Sequence, residues 1–217
     1  MDVAKTARKV LAVICGVMMV AAVGRSAPAE KTVYDYSLVT FDNKEVSLST
    51  FKGNVLLIVN LARQSIFRDQ FALLEELQKT YKDKGLVVIG IPSNDFGAQE
   101  PGTEAEIQKV YSNDLHLSFP IFARASVRGK DEAPLYEFLT SGKGPTAGQV
   151  HWSYTKFVID RAGKVVARFE PQVAPNSAEL QVTIEDVLAG KFKPPAPKGA
   201  AEDEKKETTE SDEDPGR

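Results

Sequence analysis

Thiols are nearly absent from this chain. Its 217 residues include one cysteine, Cys15, and two isolated histidines, His116 and His151. No Cys/His cluster has metal-site spacing, so no metal is expected. The chain also lacks a phosphate loop and a G-x-G-x-x-G turn, so no cofactor is expected. Lysine and arginine form no cluster and the net charge is −3, which excludes an electrostatic nucleic-acid binder.

Residues 1–29 have the three parts of a secretory signal peptide: a basic start, an uncharged apolar run and a small-residue cleavage site. These parts are Lys5, Arg8 and Lys9, residues 10–23, and Ala27 or Ala29. We therefore predict export to the periplasm or the medium, with no membrane association after cleavage. An uncleaved anchor is the alternative, although a bilayer span needs about 20 apolar residues. Cleavage would remove Cys15 and leave no thiol.

Residues 193–217 are predicted to form a disordered acidic tail. From Glu202 onward the chain has eight acidic residues and three basic ones, a net charge of −5. No aromatic or aliphatic β-branched residue follows Phe192, so the tail cannot offset the entropy cost of ordering. Such a composition is typical of a tail that only keeps the protein solvated. The alternative is a tail that binds a partner, which the sequence does not specify.

Residues 30–192 are predicted to form one domain in which strands and helices alternate. Two continuous apolar runs, 54–61 and 86–93, are typical of strands buried on both faces. The other predicted elements are a hairpin around Asp42-Asn43, helices over 68–84, 103–113, 133–142 and 176–190, a strand and loop over 119–127, and a hairpin of 154–160 with 165–170. This order predicts an α/β three-layer sandwich with a central mixed sheet.

Several stretches carry a resemblance to a known family. They include FKGNVLLIVNLA, YKDKGLVVIGIPSNDFGAQEPGTEAEI and WSYTKFVIDRAGKVVARFEP. The loop NDFGAQEPG followed later by W-x-(aromatic)-T-K-F is highly specific. By these motifs the chain resembles the glutathione peroxidase family. The resemblance implies a thioredoxin-like fold and reduction of hydroperoxides by a cysteine or selenocysteine at a strand–helix corner.

The resemblance also implies site positions, and two of four depart from the family pattern. The redox residue maps to Ser65, its glutamine to Gln99, its tryptophan to Trp152 and its asparagine to Ser153. The second cysteine of dithiol members maps to Tyr111. Next to Ser65, Ile66 replaces the usual glycine and is expected to crowd the approach, while Arg63 and Gln64 replace smaller residues. If Ser65 were a sequence error for selenocysteine, only position 65 would be affected, so such an error does not explain the changes at residues 63, 64 and 66.

The serine decides the functional prediction. Peroxide reduction needs a thiolate that can be oxidised to sulfenic acid and reduced again, and a serine hydroxyl has no corresponding series of oxidation states. We therefore predict an exported family homologue without thiol peroxidase activity, with a binding or scaffold role. A hydroperoxide or another small molecule is the expected ligand, and the sequence specifies no protein partner. The alternative is a peroxidase acting in the response to oxidative stress. A hydrolytic Ser65 with His151 as base is a further, weaker alternative.

Overall fold

A four-stranded mixed sheet lies at the centre of the computed structural model, which describes residues 30–142 and 146–194. The predicted signal peptide and residues 195–217 of the predicted tail lie outside that range. In spatial order the strands are β4, Leu86–Pro92; β3, Val55–Leu61; β5, Lys156–Ile159; and β6, Val165–Phe169. β3 is parallel to β4 and antiparallel to β5, so the sheet is mixed as predicted.

Helices cover one face of the sheet. They are α1, Gln70–Tyr81; α2, Glu104–Lys109, which continues as a π-helical turn over Val110–Asp114; and α4, Ala178–Leu188. Phe71, Leu74 and Leu77 of α1 are buried in the same cluster as Leu180 and Ile184 of α4. This cluster packs on the odd-numbered residues of β3 because successive strand residues face opposite sides.

The opposite face is covered by α3, Pro134–Thr140, and by the N-terminal segment. That segment contains a hairpin of β1, Ser37–Val39, and β2, Glu45–Ser47, whose turn has Asn43 at a φ of 61°. The predicted hairpin and the predicted α/β three-layer arrangement are therefore confirmed. Among the described residues, none belongs to a helix long and apolar enough to cross a membrane.

Two predicted elements differ from the structure. The strand expected within 119–127 is a single bridge, in which the Gly90 N–H donates to the Pro120 carbonyl and the Phe122 N–H donates to the Gly90 carbonyl. Pro120 has no N–H, so it cannot extend this ladder. The helix expected from residue 68 begins at Gln70, because residues 65–69 form successive turns.

Candidate functional site

Ser65 lies in the turns between β3 and α1 and is 2% exposed. Its N–H donates to the Ala62 carbonyl at 3.3 Å, and its Oγ accepts from the Phe67 N–H at 3.2 Å. Ser65 therefore lies at the predicted strand–helix corner, although α1 begins five residues later. One backbone N–H, rather than a full helix terminus, faces the hydroxyl.

Ser153 is the direct partner of Ser65. Its Oγ donates to the Ser65 Oγ at 2.7 Å, although the two residues are far apart in sequence, and Ser153 is fully buried. The segment before β5 holds Ser153 in place through its neighbour Tyr154, which has a φ of 68°. The Tyr154 N–H donates to the Asn60 carbonyl at 2.7 Å and its hydroxyl donates to the Ala62 carbonyl at 3.2 Å. The end of β3 thus fixes both serines.

Gln99 belongs to the loop that follows β4. Its carbonyl accepts from the Gln64 N–H at 3.0 Å, which ties this loop to the corner that contains Ser65. Gly97 and Ala98 turn the chain there with φ values of 66° and 55°. The Gln99 Oε1 is buried and has no hydrogen-bond partner among the described residues. The residue whose backbone is bonded to the corner therefore carries an unsatisfied side-chain acceptor.

Trp152 stands at the rim of the site and is 38% exposed. Its ring lies 5.8 Å from the ring of Phe96, and the Arg128 guanidinium lies 4.5 Å from that phenylalanine ring. The Trp152 carbonyl accepts from the Asn60 Nδ2 at 3.1 Å, so β3 holds the backbone beneath the indole. Trp152 is thus partly exposed, and it directly precedes the buried Ser153 in the chain.

Comparison with known proteins agrees with this arrangement of strand, corner and loops. The family profile described as glutathione peroxidase matches residues 33–140. The chain is 40% identical over 150 residues to "Glutathione peroxidase" of Lactococcus lactis, covering 69% of this chain and 96% of that one. It is also 40% identical over 158 residues to "Phospholipid hydroperoxide glutathione peroxidase 1, chloroplastic" of Arabidopsis thaliana, covering 72% and 67%. The chain belongs to the glutathione peroxidase family.

Solved structures show the same fold. T. cruzi GPX1 superposes with a TM-score of 0.61 at 28% identity, over 75% of this chain and 100% of that chain. A thioredoxin-family thiol:disulfide interchange protein of Chlorobium tepidum gives a TM-score of 0.52 at 22% identity, over 70% and 92%. The thioredoxin-like fold of the glutathione peroxidase type is therefore confirmed. The roles of Ser65, Gln99, Trp152 and Ser153 stay predictions, because these likenesses do not test them.

A buried charged cluster lies beside the site, and the sequence did not predict it. The fully buried Glu100 carboxylate accepts from the Arg63 N–H at 2.8 Å, from the Arg63 Nε and from the Tyr111 hydroxyl at 2.7 Å. Burial raises the pKa of Tyr111 well above its ordinary value, and Glu100 raises it further. Tyr111 is thus a hydrogen-bond donor fixed in the core, and its correspondence to the second cysteine of dithiol members stays a prediction.

Lys156 is a second charged group that sequence reasoning missed. It is fully buried in β5, opposite Val59 of β3, and its Nζ donates to the Tyr154 carbonyl at 2.9 Å. Burial lowers the pKa of Lys156 to about 7, and the charge of Glu170 acts in the opposite direction. A lysine at the start of an otherwise apolar strand is the signal that could have revealed it.

Other candidate residues do not join the site. His151 is exposed and donates no hydrogen bond to Ser65, so the described residues form no serine–histidine pair there. Ile66 is 79% exposed, which does not support the expectation that it crowds the approach to residue 65. Within residues 30–142 and 146–194, no group of three His, Cys, Asp or Glu side chains is placed to hold a metal ion.

Proposed function

We propose that this protein is an exported glutathione peroxidase homologue without thiol peroxidase activity, and that it binds a small molecule at the Ser65 corner. The observation that carries the proposal is the oxygen at this corner, where Ser65 accepts a hydrogen bond from Ser153. The only cysteine of the chain is Cys15, within the predicted signal peptide. Without a thiolate no sulfenic acid can form, so the peroxidatic half-reaction has no acceptor for the peroxide oxygen.

The competing function is hydroperoxide reduction in the response to oxidative stress. It is favoured by the identity of 40% to proteins described as glutathione peroxidases. Turnover of hydrogen peroxide or a phospholipid hydroperoxide, with glutathione or thioredoxin as reductant, separates the two functions. We expect no turnover above that of heat-denatured protein. Reductant-dependent turnover that disappears in Ser65→Ala would overturn the proposal.

The polar groups of the site suit a ligand with a hydroxyl or hydroperoxyl group. The Gln99 Oε1 is a buried acceptor with no partner among the described residues, so a ligand O–H would satisfy it. The Ser65 Oγ already accepts from Ser153 and Phe67, which leaves its own proton to donate. A ligand oxygen that both donates and accepts therefore matches this pair of groups.

Ligand binding can be followed without a label, because Trp152 is the only tryptophan of the chain. We expect tert-butyl hydroperoxide and tert-butanol to change the Trp152 emission in a saturable way. Gln99→Leu should weaken this change in emission, because it removes the acceptor. Gln64→Leu, at the exposed residue before Ser65, should not weaken it. A linear, non-saturating response identical in both variants would contradict a binding site at this corner.

Export is supported by the basic, apolar and small-residue segments of residues 1–29. Amino-terminal sequencing of the protein recovered outside the cytoplasm tests it. We expect the mature chain to begin at Pro28 or Glu30, after Ala27 or Ala29. Recovery of a membrane-bound chain that still begins at Met1 would favour the uncleaved anchor.

A further inference from the structure

We propose that Glu100 is the positioning residue of this site: through Arg63 and Tyr111 it holds the loop that contains Gln99 against the corner that contains Ser65. The inference rests on the proposed function only in taking this corner as the binding site. It concerns how the two halves of the site are held together, whatever the ligand.

Glu100 bonds both halves of the site. On the corner side, the Arg63 N–H and Nε donate to the two carboxylate oxygens, and the Arg63 Nη2 donates to the Pro101 carbonyl. On the loop side, the Glu100 N–H donates to the Asn94 Oδ1 at 2.9 Å. The Arg124 Nη1 donates to the Glu100 carbonyl at 3.0 Å. One residue therefore links the chain before α1 to the loop after β4.

The Glu100 carboxylate depends on its protein partners because it is shielded from water. The Glu100 side chain is fully buried and that of Arg63 is 18% exposed, so breaking their contact would leave a buried charge without its partner. Tyr111 supplies a neutral third donor to the same oxygen that the Arg63 N–H bonds. Charge-assisted hydrogen bonds of this kind are stronger than neutral ones, and their geometry is specific.

The direct consequence for the site lies in adjacent residues. Arg63 precedes Gln64, whose N–H donates to the Gln99 carbonyl, and Gln99 precedes Glu100. Two neighbouring links, Arg63 to Glu100 and Gln64 to Gln99, therefore hold the same two chain segments together. When the link from Arg63 to Glu100 loosens, the adjacent bond from Gln64 to Gln99 loses its nearest support, so the Gln99 loop can move more easily relative to the Ser65 corner.

The experiment uses the full chain with Cys15→Ser, so that Ser65→Cys supplies the only thiol as a reporter. In that background Tyr111→Phe removes one hydrogen bond of Glu100 and changes no charge. We expect it to raise both the exchange rate of the Gln64 amide hydrogen and the alkylation rate of the residue 65 thiol by iodoacetamide. The expected rise is about tenfold, since a hydrogen bond to a charged group has at least this effect on a local opening equilibrium.

Tyr81→Phe is the matched control. The Tyr81 hydroxyl also donates to a carboxylate, that of Glu185, at the same distance of 2.7 Å, but at the far end of α1. We expect less than a twofold change in either rate for this variant, even if its melting temperature falls as much. Equal effects of the two variants, or no effect of Tyr111→Phe, would overturn the proposal.

Glu100→Gln provides a second, independent variant. A glutamine can still accept from Tyr111 but loses the ion pair with Arg63, so the same two rates should rise as for Tyr111→Phe. Amide exchange is also measurable in the Ser65 protein. Because neither rate involves a peroxide or a ligand, the positioning inference can fail while the proposed function stands, and the reverse.

Discussion

Lys156 gives the chain a pH dependence of stability that can be calculated from the structure. Its ammonium is fully buried in β5, and burial lowers its pKa to about 7 from an ordinary value of 10.5. Below pH 7 the lysine is charged in both the folded and the unfolded chain, so folding buries a charge at full cost. Between pH 7 and 10.5 only the unfolded chain keeps the proton, and stability therefore rises with pH.

The size of the effect follows from the two pKa values. Integrating proton binding from pH 7 to pH 9 gives an increase of about 2 kcal/mol in the free energy of unfolding at 25 °C. The upper limit of this window is set by buried tyrosines. Burial raises the pKa of Tyr136 and of Tyr154, so above pH 10 the unfolded chain loses tyrosine protons that the folded chain keeps. Stability then falls again.

Urea unfolding followed by the fluorescence of Trp152 measures this dependence at pH 7 and pH 9. We expect the wild-type chain to gain about 2 kcal/mol between the two values. Lys156→Met should lack that gain, because methionine does not titrate in either the folded or the unfolded chain. Lys52→Met, at an exposed lysine, should retain it. The same gain in wild type and Lys156→Met would refute the calculation, and would mean that the lysine reaches solvent in the folded state.

Two further predictions concern the corner and a turn. Ser65→Cys alone should react slowly with hydroperoxide. Adding Ser153→Asn should raise the rate at least about tenfold, since one preorganised donor typically contributes a factor of about 10²–10³ to the rate. Equal stopped-flow rates for the two variants would show that the Ser153 hydroxyl fully replaces the amide. Gly163→Ala should destabilise the fold about 1 kcal/mol or more beyond Gly53→Ala. Both glycines have φ near +90°, but a Cβ at residue 163 would lie 2.6 Å from a Tyr34 ring carbon, whereas a Cβ at residue 53 would meet nothing within 4 Å. Equal melting temperatures of the two variants would contradict this clash.

Local sequence patterns correctly predicted the strands and helices that are specified by residues within the element itself. The continuous apolar runs form β3 and β4, and a capping box of Thr103 and Glu106 starts α2 within the helix predicted over 103–113. The segment 119–127, predicted as a strand and loop, has only one bridge, to Gly90, and its apolar residues pack in both clusters. Pro120 lacks the N–H that a longer ladder would need, and a proline within an apolar run is itself a sequence signal against a strand.

The site was predictable only through the resemblance. The motifs placed Ser65, Gln99, Trp152 and Ser153 in one region, yet no pattern indicated that the two serines bond each other. Glu100 lies in a loop without periodicity, so its burial could not be read from spacing. Charged residues are rarely buried without a partner, and the partner of Glu100 is 37 positions away in sequence.

The two departures from the family pattern form one physical unit. An Oγ–Oγ distance of 2.7 Å is that of an ordinary hydroxyl hydrogen bond, and both atoms belong to residues that are almost fully buried. Sulfur is larger than oxygen and makes longer hydrogen bonds, so a cysteine at 65 would have a longer and weaker contact with the Ser153 hydroxyl. Ser153 cannot shift freely to improve that contact, because Tyr154 is bonded to both Asn60 and Ala62. The Ser153 hydroxyl is thus held at a distance that suits an oxygen partner, and for that reason we expect residue 153 to limit any chemistry restored by Ser65→Cys.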